Sequence, residues 1–231
     1  MGRERVHNRS GTVWALAARQ HGAVSRAQLL ELGINDDAIQ HRLEIGRLPP
    51  VWRGVYAVGR PDLTRRGRWM AAVLCCGPGA ALSHRSAAAR WRIRAQDPTH
   101  REVPVDVSIP AERRRRRDGI RIHRPSQLDV SQLTRCDGVP VTSAARTLID
   151  LGTCLSPGQL EAAVNEADKR DLIDPEELRA IVERSAGMRG VVALRRLLDR
   201  ATFTLTDSEL ERRFLLLLRR TACPGPRLNR S

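Results

Sequence analysis

Ser25, Arg26, Asn35, Asp37, Gln40, His41, Arg42, Arg47, Trp52, Arg53 and Tyr56 gather hydroxyls, amides, guanidiniums and flat rings into one short stretch. Groups of this kind read a double helix. An amide such as that of Gln40 can pair with an adenine edge, and a guanidinium such as that of Arg42 or Arg47 can hold phosphate or guanine. Trp52 and Tyr56 lie among Arg47 and Arg53, and that mixture of stacking planes and charge suits backbone or minor-groove contact. A plainer reading stands beside this one. Asp36, Asp37 and Glu44 repel phosphate, so the surface could serve a protein contact instead. Trp52 and Tyr56 could also simply close a small core, which is the preferred reading for Tyr56.

The surrounding sequence supplies elements to position these residues. Ser25 with Gln28 makes a capping box and opens a helix whose buried side carries Leu29, Leu30 and Leu32. Gly33 follows as the turn. Asn35 or Asp36 starts a second helix, with Ala38, Ile39 and Leu43 facing inward and Asp37, Gln40, His41 and Glu44 facing out. Gly46 stops it, Pro49-Pro50 breaks the chain, and Val51 to Val58 alternates around Gly54 as a ribbon. Thr12 to His21 predicts an earlier helix through Val13, Leu16, Ala17 and Gln20, packed beneath the other two. Helix, helix, turn, helix and ribbon is the order of a winged helix-turn-helix over residues 11–59, with the 35–45 helix in the recognition position.

Other constellations carry less. Ser83-His84 has the types of a nucleophile and a base, but neighbours along a helix do not face each other and the sequence offers no third partner. Cys75, Cys76, Cys136, Cys154 and Cys223 form no CxxC pair, so neither a zinc site nor a disulfide framework is expected. Arg113 to Arg117 reads most simply as a solvated hairpin loop, with a phosphate or RNA clamp as the alternative. No catalytic residue, metal ligand or cofactor is assigned.

The 231 residues carry 40 Lys+Arg against 26 Asp+Glu, a net charge of +14 that favours polyanions through sequence-independent contacts. An arginine-rich proteome would produce the same excess, so charge alone does not establish a nucleic-acid partner. The amino-terminal residues lack a secretory apolar run, no stretch is long enough to span a membrane, and an odd cysteine count suits reduced thiols. The expectation is a cytoplasmic protein with no membrane contact.

Beyond Arg60-Pro61-Asp62, a helix is predicted through Trp69, Met70, Val73 and Leu74, then an alanine-rich helix over Ala80 to Trp91 with Ser83, His84 and Arg85 on its first turns. Val103, Val105, Val107 and Ile109 alternate with Pro104, Asp106 and Ser108, a strand that Pro104 assigns to an edge. Ile120 and Ile122 form a return strand after the Asp118-Gly119 turn, and Val139-Pro140-Val141 is short and extended. Thr142 is the expected cap of a helix through Ala145, Leu148, Ile149 and Leu151. Residues 60–152 therefore read as a small α+β domain, and 153–202 as a helical segment that includes the strong helix start Asp174-Pro175-Glu176-Glu177.

Two resemblances add to this. VSRAQLLELGI and GRLPPVWRGVYAVG resemble the amino-terminal winged helix of AbiEi-family antitoxins from type IV toxin–antitoxin systems, and ALSHRSAAARW and GVPVTSAARTLIDLG resemble the continuation found in actinobacterial members. The resemblance covers about Val13 to Gly152. It implies an operon-repressing DNA-binding head and a later domain that opposes a nucleotidyltransferase-type toxin. TDSELERRFLLLLRR, within 203–231, resembles the opening helix of a very-short-patch-repair-like endonuclease of the PD-(D/E)XK type, with Glu211 matching its first acidic residue. The metal-holding strands of that family have no counterpart here, so a truncated remnant is expected. The combined expectation is an α+β protein bound to double-stranded operator repeats, as a homodimer or as paired monomers. The alternatives are a truncated endonuclease-family protein whose head targets DNA, and an RNA-binding module.

Overall fold

The computed structural model describes residues 2–93, 104–110, 117–126 and 128–199, side chains of 2–10 excepted. Arg113 to Arg116, Cys223 and the 203–231 segment with Glu211 lie outside them.

The first part of the chain runs α1 (Gly2–Arg19), β1 (Ala23–Ser25), α2 (Arg26–Glu31), α3 (Asp36–Glu44), β2 (Pro50–Trp52) and β3 (Val55–Ala57). The caps form as the residue types dictate. Gln28 N–H donates to Ser25 Oγ at 3.2 Å while Gln28 Oε1 accepts from Ser25 N–H at 3.0 Å, and Ala38 N–H donates to Asn35 Oδ1 at 3.1 Å. The three strands make an antiparallel sheet in the order β1-β3-β2. Val13, Ala17, Val24, Leu29, Ile34, Ile39, Leu48, Tyr56 and Val58 fill the space between helices and sheet. Fully burying a side chain such as Leu29 or Ile39 contributes about 1.5–3 kcal/mol. Three details differ from expectation. Leu30, expected on the buried side of α2, is exposed because Leu29 alone of that helix turns into the core. α1 begins well before Thr12, and β1 is a strand that its three residues are too few to announce.

The middle of the chain builds a five-stranded sheet in the order β6-β5-β4-β8-β7, from β4 (Ala81–Leu82), β5 (Val105–Ser108), β6 (Ile120–His123), β7 (Leu133–Cys136) and β8 (Val139–Thr142). The helices α4 (Arg65–Cys76) and α5 (His84–Trp91) pack on it, and α6 (Ala144–Leu151) packs against α5. Several expectations are corrected here. β5 is not an edge strand: it pairs with β4 on one side and β6 on the other, and Pro104 stands just outside it. β6 does not return beside β5 as in a hairpin but runs parallel to it. Ala81 and Leu82 are sheet rather than helix, because β5 and β8 flank them. Ser143, not Thr142, caps α6, accepting from Arg146 N–H at 3.2 Å, while Thr142 closes β8. Asp106 and Ser108, the polar residues of the alternating strand, are buried at 1% exposure each, because α5 covers that side of β5.

The two sheets share packing. Ala23 and Val55 from the first sheet belong to the same apolar cluster as Trp69, Val73, Leu82 and Val107. Gly67 of α4 sits so close to His21 that an added Cβ would stand 2.5 Å from the His21 carbonyl oxygen. Trp52 donates its indole N–H to the Asp118 carbonyl at 2.9 Å, with the Arg68 guanidinium 5.7 Å from the ring centre. Asp137 receives both Arg66 and Arg90.

α7 (Pro157–Lys169), α8 (Pro175–Arg184) and α9 (Val191–Asp199) complete the described chain. Leu160, Val164, Leu178, Val182, Leu194 and Leu198 pack with Leu148, Ile149 and Leu151 of α6. Asp174 accepts from the N–H groups of Glu176 and Glu177, as its sequence signature requires. Among the described residues no helix is long and apolar enough to cross a membrane.

Candidate nucleic-acid interface and buried polar cluster

The residues proposed for nucleic-acid contact separate into three groups. Ser25 and Asn35 act as helix caps, and Tyr56 is buried at 6% exposure, so its ring closes the core. Trp52 faces the second sheet through Asp118 and Arg68, which removes the indole N–H from any groove. In the structure these side chains cap helices, close the core or bridge to the second sheet.

A second group is exposed or half-buried, and most of it is engaged. Arg26 meets Asp36 at 2.5 Å, and that hydrogen bond holds the guanidinium above its ordinary pKa. The α2 arginine and the α3 carboxylate thus cancel across the turn. Gln40 donates to Glu44 at 3.1 Å, and Arg42 donates to the Ala38 carbonyl at 2.8 Å. Asp37 lies on the exposed side of α3 with Gln40, His41 and Glu44.

The third group is open. Arg47 and Arg53 are exposed, and among the described residues neither has a hydrogen bond or ion pair. Arg53 stands at the turn between β2 and β3 beside Gly54, whose φ of 76° lies in the left-handed region that glycine reaches without penalty. Arg47, Arg42 and Arg60 border a groove of about 540 Å³ whose apolar wall includes Val13, Trp14 and Leu48. Cationic surface therefore remains on this face, at the wing rather than along α3.

A separate polar cluster lies where β4, β5, β6 and α6 meet. His84 has φ of 47°, a left-handed conformation that is unusual for a residue with a side chain. Its ring stacks on His123 with centroids 3.6 Å apart and planes 14° from parallel. His123 Nε2 lies 2.8 Å from Asp106 Oδ1, and Arg121 reaches the same oxygen at 3.6 Å. On α6, Arg146 donates to Asp150 Oδ1 at 2.9 Å and to Gln132 Oε1 at 2.6 Å. Burial, with help from the neighbouring His123, lowers the His84 pKa from 6.5 to about 4. Burial also raises that of Asp150, against the pull of Arg146.

Ser83, His84 and Asp150 do come together, a meeting that the sequence did not disclose. Ser83 Oγ lies 3.1 Å from His84 Nδ1, and Asp150 Oδ2 lies 3.9 Å from that same nitrogen. A nucleophile–base–carboxylate relay needs the serine on one ring nitrogen and the carboxylate on the other. Here both meet Nδ1, and Ser83 is fully buried, so the trio does not form a relay. The signal for this cluster was one charged residue inside an apolar strand, Asp106, and an Arg-x-x-x-Asp pair, Arg146 and Asp150, inside an otherwise apolar helix. Among the described residues no group of three or more His, Cys, Asp or Glu could hold a metal ion.

No family model matches this sequence, and neither does any curated protein.

Proposed function

We propose that residues 11–59 form a winged helix-turn-helix that binds double-stranded DNA. The observation that carries this reading is the order of elements: helix, strand, two capped helices, then a hairpin that closes a β1-β3-β2 sheet and presents Arg53 at its turn. Winged helices place their last helix in the major groove and touch the backbone or minor groove with the hairpin. In this chain the acidic residues of α3 limit that helix, so Arg47 and Arg53 carry the phosphate contacts and His41 and Gln40 face the bases. Arginine forks suit that task.

The same reading makes the protein a cytoplasmic transcriptional regulator that represses its own operon, bound to operator repeats as a homodimer or as paired monomers. Its resemblance to AbiEi-family antitoxins supports a further role against a nucleotidyltransferase-type toxin. Two segments that carry the resemblance, ALSHRSAAARW and GVPVTSAARTLIDLG, pack together as β4–α5 and β8–α6, and Trp91 donates its indole N–H to the Thr142 carbonyl at 2.9 Å. The protein in this reading is a binder and not an enzyme.

DNase footprinting of the full chain on the DNA upstream of its own gene tests the proposal. Protection of a repeated sequence, lost when Arg47 and Arg53 are both replaced by alanine, is the expected result. Absence of protection, or protection that survives both substitutions, would set the assignment aside.

A further inference from the structure

We propose that the groove between α1 and the foot of the β2–β3 hairpin is a binding site for a flat apolar carboxylate, an aromatic acid of one or two rings. The site depends on Trp14 and Arg60, which the DNA reading does not use, so the inference stands whether or not the head binds a duplex.

Three segments border the groove: α1 with Trp14, the stretch from Gly46 to Pro49 before β2, and the stretch from Val58 to Pro61 after β3. Its volume of about 540 Å³ lies within the ordinary range for small-molecule sites. Leu29, Ile34, Leu48 and Val58 reach it from the core of the head, each 8% exposed or less. A floor made of core side chains is best covered by something apolar, which removes the remaining surface from water.

Trp14 is 58% exposed, yet its ring is held in place. A Cβ on Gly59 would stand 2.8 Å from Trp14 Cζ3 and 2.9 Å from Cη2, so glycine at that position lets the outer edge of the indole settle against the backbone. The rest of the ring stays open at the groove and offers a flat surface on which a second ring can stack.

The polar side of the site is cationic. Arg42, Arg47 and Arg60 line it, and among the described residues no carboxylate does. Arg42 already donates to the Ala38 carbonyl. Arg47 and Arg60 are exposed, and among the described residues neither has a hydrogen bond or an ion pair. A guanidinium fork matches a carboxylate with two parallel N–H bonds, and a cationic ligand would be repelled. A phosphate, more strongly hydrated, would give up that water against an apolar floor. The occupant that suits both sides is a planar apolar body carrying one carboxylate.

Isothermal titration calorimetry of the full chain without DNA tests this, with 1-naphthoate as ligand. Acetate and inorganic phosphate supply the anion without the body, and 1-naphthylmethylammonium supplies the body with the opposite charge. Naphthoate is expected to bind and the other three to bind far more weakly or not at all. Arg60→Ala should weaken naphthoate binding by roughly tenfold or more. Trp14→Ala should weaken it by about two- to tenfold. Both positions are exposed, so the fold should survive either change. Arg196→Ala, which removes an exposed charge from α9, should leave the affinity unchanged. The proposal is overturned if naphthoate does not bind, if Arg60→Ala or Trp14→Ala leaves its affinity unaltered, or if any of the other three ligands binds as tightly.

Discussion

The imidazole of His84 lies flat against that of His123, 3.6 Å between ring centres, with His84 buried and His123 half-buried at the end of β6. Two stacked imidazolium ions would repel, and burial already disfavours charge on His84, which accounts for its pKa of about 4.

That relationship makes stability depend on pH. Between about 4 and 6.5 the unfolded His84 binds protons that the folded one refuses. Its contribution is therefore complete above pH 6.5 and is lost as the pH falls toward 4, by roughly 3 kcal/mol over the whole window. His123, Asp106, Arg121, Arg146 and Asp150 surround it, and the raised pKa of Asp150 acts with the opposite sign. Chemical denaturation of the wild type and of His84→Asn at several pH values isolates the histidine. The wild type should lose stability relative to the variant on acidification, whereas parallel curves would contradict the assignment.

Arg146 is 4% exposed and bonded to Asp150 and Gln132. Arg146→Ala strands a buried carboxylate and should cost about 3–5 kcal/mol of unfolding free energy. The double change Arg146→Met with Asp150→Leu removes both charges and should recover most of that loss. A single substitution that costs under about 1 kcal/mol in urea would mean the pair is solvated.

Gly190 has φ of 89°, and its added Cβ would strike the Ile149 carbonyl. Gly190→Ala should destabilise the fold by about 2 kcal/mol or more, from backbone strain and the clash together. Gly158 in α7 makes the contrast: nothing lies within 4 Å of a Cβ there, so Gly158→Ala should be neutral or stabilise by up to about 1 kcal/mol. Equal urea midpoints for the two variants would contradict this account of the α8–α9 turn.

Trp52 and Arg53 are chain neighbours with opposite expected roles. Trp52→Phe loses the bond to Asp118 and weakens the contact with Arg68, so it should cost about 1–2 kcal/mol of stability while DNA affinity changes little. Arg53→Ala should leave stability within about 0.5 kcal/mol and weaken DNA binding. Thermal denaturation and fluorescence anisotropy on the same two variants read both effects, and a reversed pattern would exchange the roles.

The elements legible in the sequence were those whose own residues decide them. Ser25 with Gln28, Asn35 and Asp174-Pro175 satisfy the first N–H groups of their helices locally, so the helix starts could be read directly. β1 and β4 could not be read this way, because partners distant in sequence make them strands: Ala23 pairs with Ala57, and Leu82 with Val141. Alternation in β5 marked a strand but not its two covered faces, since Asp106 and Ser108 are buried along with Val105 and Val107. α6 likewise buries every residue from Ala144 to Leu151, so its spacing did not reveal that Arg146 and Asp150 face a cavity. The exposure of Arg53 was legible, since a glycine turn between two short strands leaves its neighbour nowhere to pack.

The central claim is that guanidiniums at the wing neutralise phosphates. Its most direct test is the affinity of the full chain for its upstream duplex at a series of salt concentrations, for the wild type, Arg47→Ala and Arg53→Ala. Each phosphate contact contributes about one to the slope of log affinity against log salt. The account predicts a steep slope for the wild type that each substitution flattens by about one. Three superimposable lines, or a wild-type affinity indifferent to salt, would contradict it.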